Sequence, residues 1–291
     1  EPFQGLFTQG MVCHETYRAA DGTWLYPAEI ERRDGAVVAA ETGAPVTVGR
    51  SEKMSKSKKN TVDPGHIIET YGADAARLFM LSDSPPDRDL EWTESGIDGA
   101  WRYVQRLWRL AAAPAVPLDP VPVATEFAGS AKETMGLAHR TIAAVTEDLN
   151  KLRFNTAVAK LRELTNQIAA THPADAGAAT AYRFGLETLL RLIAPMTPHI
   201  AEEIWQALGH AEPLTATAWP EADPKWLTVD TVTLAVQVNG KLRGTLEVAV
   251  GTDNAAAEAL ALALPGVQAQ IQGRTPKKVI VVPGKIVNIV A

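Results

Sequence analysis

The 291-residue sequence contains a single cysteine, Cys13, and no long run of consecutive apolar residues. One cysteine excludes an internal disulfide and a multi-cysteine zinc site, which is typical of a protein from a reducing cytoplasm. The missing apolar run excludes a transmembrane helix, which needs about 20 residues, so we expect no membrane partner. Positive charge is not in excess either, since the formal net charge is −6. This argues against general coating of nucleic acid and leaves room for a local basic patch.

The composition supports two or three folded domains, because 46% of the residues are apolar and can form buried cores. The chain begins Glu1-Pro2-Phe3, without Met and without a signal peptide. It continues directly into residues 3–12, for which we predict a strand. We therefore expect a fragment that lacks its N-terminal part, and a processed mature protein is the alternative.

The first region, residues 1–92, combines short strand-like runs with Gly and Pro turns. Within it, residues 20–49 have the pattern of a small β-rich insertion. A charged loop is predicted at 50–60. Asp63-Pro64 then provides a helix N-cap followed by proline at the first helical position, and helices are predicted at about 64–70 and 73–82.

The second region, residues 93–225, has the 3.6-residue apolar period of a helical bundle. Trp101 and Trp108 are seven residues apart on the first helix, in an apolar stripe with Val104, Leu107 and Ala111. We expect both indoles to pack in the core, and a base-stacking surface is the alternative. A linker rich in Pro and Ala is predicted at 114–124. Further helices are predicted at about 127–150, 154–170, 176–194 and 198–208.

The third region, residues 229–291, changes to the period of two that is typical of strands. Asn239-Gly240 separates two alternating runs, which is the strongest short-range signal for a β-hairpin. A helix at 255–264 and a second hairpin over 277–290 complete the pattern. We predict a small α+β domain.

The sharpest chemical signal is residues 50–60, where five cationic residues accompany one anionic residue, so that five minus one gives a local charge of +4. The cations are Arg50, Lys53, Lys56, Lys58 and Lys59, and the anion is Glu52. A loop of this kind can bring ammonium groups to a polyphosphate. A solvated basic loop or a nuclear-localisation-like lysine run is the alternative on charge alone.

The order of the residues resembles a known family. The second ATP motif of class I aminoacyl-tRNA synthetases, KMSKS, is present letter for letter as Lys53-Met54-Ser55-Lys56-Ser57. The similarity continues through 58–64, 71–78 and 89–96. Residues 154–157 and 195–205 resemble the helical tRNA-binding domain of the Leu/Ile/Val/Met subgroup. Residues 236–244 and 283–288 resemble the C-terminal domain of bacterial leucyl-tRNA synthetases.

This resemblance implies a fold in three parts. The first is the C-terminal part of a Rossmann-like α/β catalytic domain. An all-α bundle of the anticodon-binding type and a small α+β C-terminal domain follow. It implies part of a leucine–tRNA ligase, an enzyme that activates leucine with ATP and transfers it to tRNA-Leu in the cytoplasm. A monomer is expected. The corresponding portion of a valyl, isoleucyl or methionyl enzyme is an alternative, and so is a stand-alone tRNA- or RNA-binding module.

The resemblance also implies site residues. Lys56 contacts the ATP phosphates and stabilises charge on the leaving pyrophosphate, and Lys53 supports it; both are predicted to be catalytic. Met54 and Ser55 position the nucleotide through their backbone, and Ser57 completes the ATP-binding set. Mg²⁺ is expected with ATP, and no protein-bound metal is predicted. Because the His-Ile-Gly-His-like first motif is absent from the sequence, the chain alone is predicted to form no leucyl-adenylate.

A second basic surface is predicted in the third region, where six cationic and three anionic residues give +3. Basic hairpin turns that converge on a small sheet suit a phosphate backbone, and the family resemblance implies contact with tRNA. The predicted tRNA-binding residues are Lys241, Arg243, Lys277, Lys278 and Lys285. Ordinary solvated lysines are the alternative.

Two weaker candidates are interpreted structurally. Cys13-His14-Glu15 has no second ligand pair at metal spacing, so a strand edge or loop is the preferred interpretation. His199 follows Pro198 at a helix start, where capping or packing is expected rather than catalysis.

Overall fold

A computed structural model describes residues 2–3, 5–112, 124–228 and 231–291. The chain forms two compact units, Glu1–Asp223 and Pro224–Ala291. The predicted division into domains at 1–92, 93–225 and 229–291 stays a prediction. The predicted linker at 114–124 lies outside the described residues except for Ala124. Among the described helices, none is long and apolar enough to cross a membrane.

A three-stranded sheet carries the charged segment of the first unit. Its central strand β1 is Val12–His14, which pairs antiparallel with a later strand, Glu52–Lys53, and parallel with Leu90–Glu91. The predicted strand at 3–12 is wrong at the described residues before Val12, none of which is in a strand. Leu6 is 90% exposed, and an extended segment without a paired neighbour or an apolar face to pack is not a stable strand.

Short strands occupy the predicted β-rich segment at 20–49, and its status as an insertion stays a prediction. Strand β2, Tyr17–Arg18, lies between β3, Trp24–Leu25, and β6, Thr47–Val48. A separate hairpin joins β4, Ile30–Arg33, to β5, Ala36–Ala39. In chain order, Glu52–Lys53 is then β7 and Leu90–Glu91 is β8.

The predicted helices of the first unit are present, and all those predicted with bounds lie within two residues of them. They are α1 Pro64–Tyr71, α2 Ala73–Ser82, α3 Glu94–Ala112, α4 Gly129–Asn150, α5 Phe154–Ala170, α6 Ala176–Ile193 and α7 Pro198–Ala207. Asp63 caps α1 as expected, because its carboxylate accepts the Gly65 N–H at 3.0 Å. One continuous apolar core extends from Ile67 and Phe79 to Trp205 and Leu214. The segment that follows the charged loop therefore shares its core with the helical bundle.

The buried face of α3 includes Leu107 as predicted, but the two tryptophans of the predicted stripe lie outside it. The helix buries Ile97, Ala100, Tyr103, Leu107 and Leu110, whereas Trp101 and Trp108 are 37% and 39% exposed. Both stripes have helical spacing, so periodicity alone does not choose between them. Tyr103 favours the observed face, because its hydroxyl lies 2.7 Å from Thr165 Oγ1 in α5. The buried hydroxyl therefore keeps a hydrogen-bond partner.

The second unit is a four-stranded sheet with two helices. The strands are β9 Thr231–Val238, β10 Lys241–Ala249, β11 Lys278–Val282 and β12 Ile286–Val290, in the order β10-β9-β12-β11. The predicted hairpin at Asn239-Gly240 is confirmed, and both turn residues have positive φ. The predicted helix at 255–264 is α8, Asn254–Leu262, and an unpredicted helix follows it, α9 Pro265–Ile271. Pro265 starts α9, and Gly266 lets it approach β10, since a Cβ there would lie 2.1 Å from Arg243 O.

Candidate functional site

The charged segment is more ordered than the predicted loop at 50–60. Cys13 pairs with Lys53 and His14 with Glu52 across β1 and β7, and the Met54 N–H donates to Val12 O at 3.0 Å. Residues 56–58 then form a 3₁₀ turn. Lys53 therefore belongs to a paired strand, and only the residues that follow it turn away from the sheet.

Serine side chains shape that turn. Ser55 Oγ accepts the Lys58 N–H at 3.2 Å and lies 3.0 Å from Ser57 Oγ. Ser55 is thus the N-cap of the 3₁₀ turn. Lys59 ends it in the left-handed region, with φ of 52°. The two serines hold the turn internally, and the Lys56 side chain within it is exposed.

Asn60 is the anchor of the whole segment, and sequence reasoning assigned it no role. It is fully buried. Its Oδ1 accepts the Ser55 N–H at 2.8 Å, and its Nδ2 lies 3.1 Å from His14 O, 3.2 Å from Glu52 O and 3.4 Å from Lys53 O. One amide therefore ties both ends of the turn to β1 and β7. A polar residue directly after a lysine-rich turn is the only signal for it in the sequence.

Three of the five cations are held by carboxylates. Lys58 Nζ hydrogen-bonds Glu52 Oε2, and Arg50 Nε lies 3.6 Å from the other oxygen of that carboxylate. The hydrogen bond from Lys58 lowers the pKa of Glu52, with a smaller contribution from Arg50. Lys59 Nζ lies 3.8 Å from Glu29 Oε2 and 5.0 Å from the Tyr26 ring centroid.

Lys53 and Lys56 differ from these three. Both are exposed, and within the described ranges neither forms an ion pair. The structure thus separates the two lysines predicted to be catalytic from the three that are held by the fold. Two uncompensated ammonium groups on an anchored turn can bind a polyanion without first breaking an internal ion pair.

The backbone geometry narrows the predicted role of Met54 and Ser55. Their N–H groups are already donated, to Val12 O and to Asn60 Oδ1. A backbone contact with a nucleotide therefore falls to their carbonyl oxygens. The Met54 side chain lines an apolar cavity of about 530 Å³ with Val12, Ile67 and Trp92, so the turn sits on the rim of this cavity.

The five residues predicted to bind tRNA do not form a single group. All five are exposed. Since β9 and β12 are parallel, the Asn239-Gly240 turn lies at the end of the sheet where β12 ends and β11 begins. Lys241, Arg243, Lys277 and Lys278 lie at that end, across three strand spacings, or about 14 Å. Lys285 lies at the opposite end, where its carbonyl accepts the Ala235 N–H.

The weaker candidates have structural positions. Burial raises the pKa of the Cys13 thiol, with further contributions from Asp89 and Glu91. This disfavours a reactive thiolate. His14 Nδ1 lies 2.9 Å from Glu15 O. In the described part of the chain, no three His, Cys, Asp or Glu residues are grouped so that they could hold a metal.

Two family models match the chain. Residues 44–93 match the class I tRNA synthetases of the I, L, M and V group, a range that contains the charged segment and α1 and α2. Residues 131–259 match the anticodon-binding domain of tRNA ligases, a range that contains α5 to α7 and most of α4.

Individual relatives extend the similarity to the whole chain. The leucine–tRNA ligases of Rhodospirillum rubrum and Paramagnetospirillum magneticum are each 58% identical to it over its full length. The chain spans 34% of the length of each, in the C-terminal part. A solved structure of the Agrobacterium radiobacter K84 LeuRS, in a ternary complex with tRNA and LeuAMS, superposes over 100% of this chain and 34% of that one. Its TM-score is 0.64 at 27% identity.

Proposed function

We propose that the chain belongs to the class I aminoacyl-tRNA synthetases and is part of a leucine–tRNA ligase, to which it contributes an ATP-phosphate loop and tRNA-binding surfaces. The observation that carries the proposal is the 58% identity to leucine–tRNA ligases over the full length of the chain. Since the chain spans about a third of those relatives, the complete reaction requires residues beyond this chain. The proposed enzyme is a cytoplasmic monomer.

The ATP-phosphate loop consists of Lys53, Met54, Ser55, Lys56 and Ser57. Lys56 binds the ATP phosphates and stabilises the charge that moves onto pyrophosphate when the leucine carboxylate attacks the α-phosphate. Lys53 supports the same negative charge from the end of β7. Adenylyl transfer depends chiefly on positioned cations, and the exposed, unpaired state of these two lysines among the described residues supports the assignment. Mg²⁺ accompanies ATP and neutralises part of the negative charge on its phosphates.

The tRNA-binding surfaces are the helical bundle and one end of the sheet in the second unit. There, Lys241, Arg243, Lys277 and Lys278 are exposed at the same end of the sheet, where their positive charge can follow a phosphate backbone. Lys285, at the other end, is a separate and weaker contact. The match of residues 131–259 to anticodon-binding domains supports tRNA as the partner.

The test is leucine-dependent ATP–pyrophosphate exchange and charging of tRNA-Leu by the complete enzyme. Leucine should support both reactions, whereas valine, isoleucine and methionine should support neither to a comparable extent. Preferential exchange with one of those three would assign the chain to another member of the group. The chain alone should bind tRNA-Leu and catalyse no exchange. Exchange by the chain alone would contradict the proposal that the reaction requires residues beyond this chain.

A stand-alone RNA-binding module is the second candidate considered, and the full-length match to leucine–tRNA ligases does not favour it. A binding module also has no need for two exposed lysines on an anchored turn beside an apolar cavity. If the complete gene product bound tRNA but supported no exchange with any amino acid, this second candidate would replace the first.

A further inference from the structure

The helix that follows the ATP-phosphate loop and α1 holds the start of α7 through a buried carboxylate. Asp74, in the first turn of α2, is buried. Its Oδ2 accepts the Ile200 N–H at 2.6 Å, and its Oδ1 lies 2.8 Å from His199 Nδ1. Thr197, the N-cap residue of α7, makes no capping bond, and its buried Oγ1 has no hydrogen-bond partner among the described residues. The cap of α7 is therefore supplied by a different helix.

The next turn of α2 binds the other side of the turn between α6 and α7. Arg77 Nε donates to Met196 O at 3.0 Å, and its Nη2 donates to Pro195 O at 2.8 Å. These carbonyls lie just beyond the C-terminal end of α6. Asp74 and Arg77 are three residues apart and so share one face of α2. Together they bind the amide side and the carbonyl side of the α6–α7 turn, each with the charge that suits it.

The same helix is linked to the ATP-phosphate loop. Arg77 and Met54 line one cavity, together with Ile67 of α1. Asn60 fixes the start of the intervening segment on β1 and β7. The loop, α1 and α2 are thus anchored at one end to the sheet and at the other to the bundle.

We propose that Asp74 and Arg77 are positioning residues that fix the ATP-phosphate loop relative to the tRNA-binding bundle, a proposal that rests on the function given above. Leucine activation uses small substrates and the loop. Transfer to tRNA also requires that a tRNA held by the bundle meets the adenylate in reactive geometry. A misplacement of about 1 Å costs on the order of 10²-fold in such a step. Transfer is therefore the step that depends on this clamp.

The experiment compares two reactions of the complete enzyme. Asp74→Ala and Arg77→Ala should lower the kcat of tRNA-Leu charging by at least about tenfold, since a misplacement of about 1 Å can cost about 10²-fold. Leucine-dependent pyrophosphate exchange, normalised by active-site titration to the folded fraction, should stay close to that of the unsubstituted enzyme. Arg77→Lys, which keeps the charge but not the two-pronged geometry, should have an intermediate charging rate.

Glu202→Gln is the matched control. The Glu202 carboxylate also accepts a backbone N–H, that of Leu214, at 2.9 and 3.1 Å, but it joins two parts of the bundle and not the loop-bearing segment. It should lose some stability and keep the ratio of charging to exchange. Equal losses of both reactions in the clamp variants, unchanged charging, or the same selective loss in Glu202→Gln would overturn the proposal. Failure of the unsubstituted enzyme to charge tRNA-Leu with leucine would contradict the proposed function instead.

Discussion

At the scale of single residues, the cations in and around the ATP-phosphate loop fall into two sets, one paired with carboxylates and one exposed. The five cations are equivalent in the sequence apart from their order, yet three are bound by Glu52 and Glu29 and two are left exposed. The motif predicts a catalytic role for Lys53 and Lys56 from the sequence alone, and these are the two lysines of the charged segment without an ion pair among the described residues. The sequence could not reveal the partner of Lys59, because Glu29 lies in the insertion, far from it along the chain.

Asn60 is the residue whose removal should disturb the loop most without altering a charge. Asn60→Ala leaves the Ser55 N–H and the carbonyls of His14 and Glu52 without their partner, and an unsatisfied buried group costs about 1–3 kcal/mol. We expect faster hydrogen exchange of the Ser55 amide and slower leucine-dependent pyrophosphate exchange in the complete enzyme.

Asn166→Ala is the control, since Asn166 makes an exposed hydrogen bond with Arg106 at 2.7 Å. It should leave both measurements unchanged. An Asn60→Ala enzyme with an equally protected Ser55 amide would show that the anchor is not needed to order the turn.

At the scale of secondary-structure elements, local signals were sufficient where the residue determines the backbone. Asp63-Pro64 predicted the start of α1, and Asn239-Gly240 predicted the hairpin of β9 and β10. Prediction failed where packing decides. The buried face of α3 depends on the contact between Tyr103 and Thr165, which are distant in sequence.

Tyr103 links that packing to a pH dependence. Burial raises its pKa to about 12. The folded state therefore retains the phenol proton more strongly than the unfolded state, whose pKa is near 10. Its contribution to stability is complete below pH 10 and is lost as pH rises towards 12, at about 1.4 kcal/mol per pH unit.

Urea denaturation of the unsubstituted protein and of Tyr103→Phe at pH 8, 10 and 11 measures this contribution. At pH 8 the variant should be less stable by about 1 kcal/mol, because it lacks the hydrogen bond with Thr165. The difference should shrink by roughly 1 kcal/mol at pH 11. A difference that is constant from pH 8 to 11 would mean that Tyr103 ionises as an exposed phenol does.

At the scale of the whole molecule, positive charge is concentrated in local regions of an acidic chain. The chain carries a net charge of −6, yet the ATP-phosphate loop and one end of the second unit's sheet are basic. The basic end was predicted from composition. The separation of Lys285 from the other four residues follows from the parallel pairing of β9 with β12, which alternating strand patterns do not specify.

The double substitution Lys277→Ala and Lys278→Ala tests that surface. It should weaken tRNA-Leu binding by the chain and reduce the slope of log K against log salt by roughly one for each phosphate that is no longer neutralised. Lys285→Ala, at the opposite end of the sheet, is the control and should change both quantities less. Equal effects of the two substitutions would indicate general attraction instead of a localised surface.

The central claim is that this chain supplies the ATP-phosphate loop of a leucine–tRNA ligase, and Lys56→Ala in the complete enzyme tests it most directly. Removal of one preorganised group that stabilises transition-state charge typically costs about 10²–10³ in kcat. We predict a decrease of that size in leucine-dependent pyrophosphate exchange. Lys58→Ala, which removes a lysine already bound to Glu52, should change the rate far less. Exchange at the unsubstituted rate in Lys56→Ala, or equal decreases in the two variants, would contradict the claim.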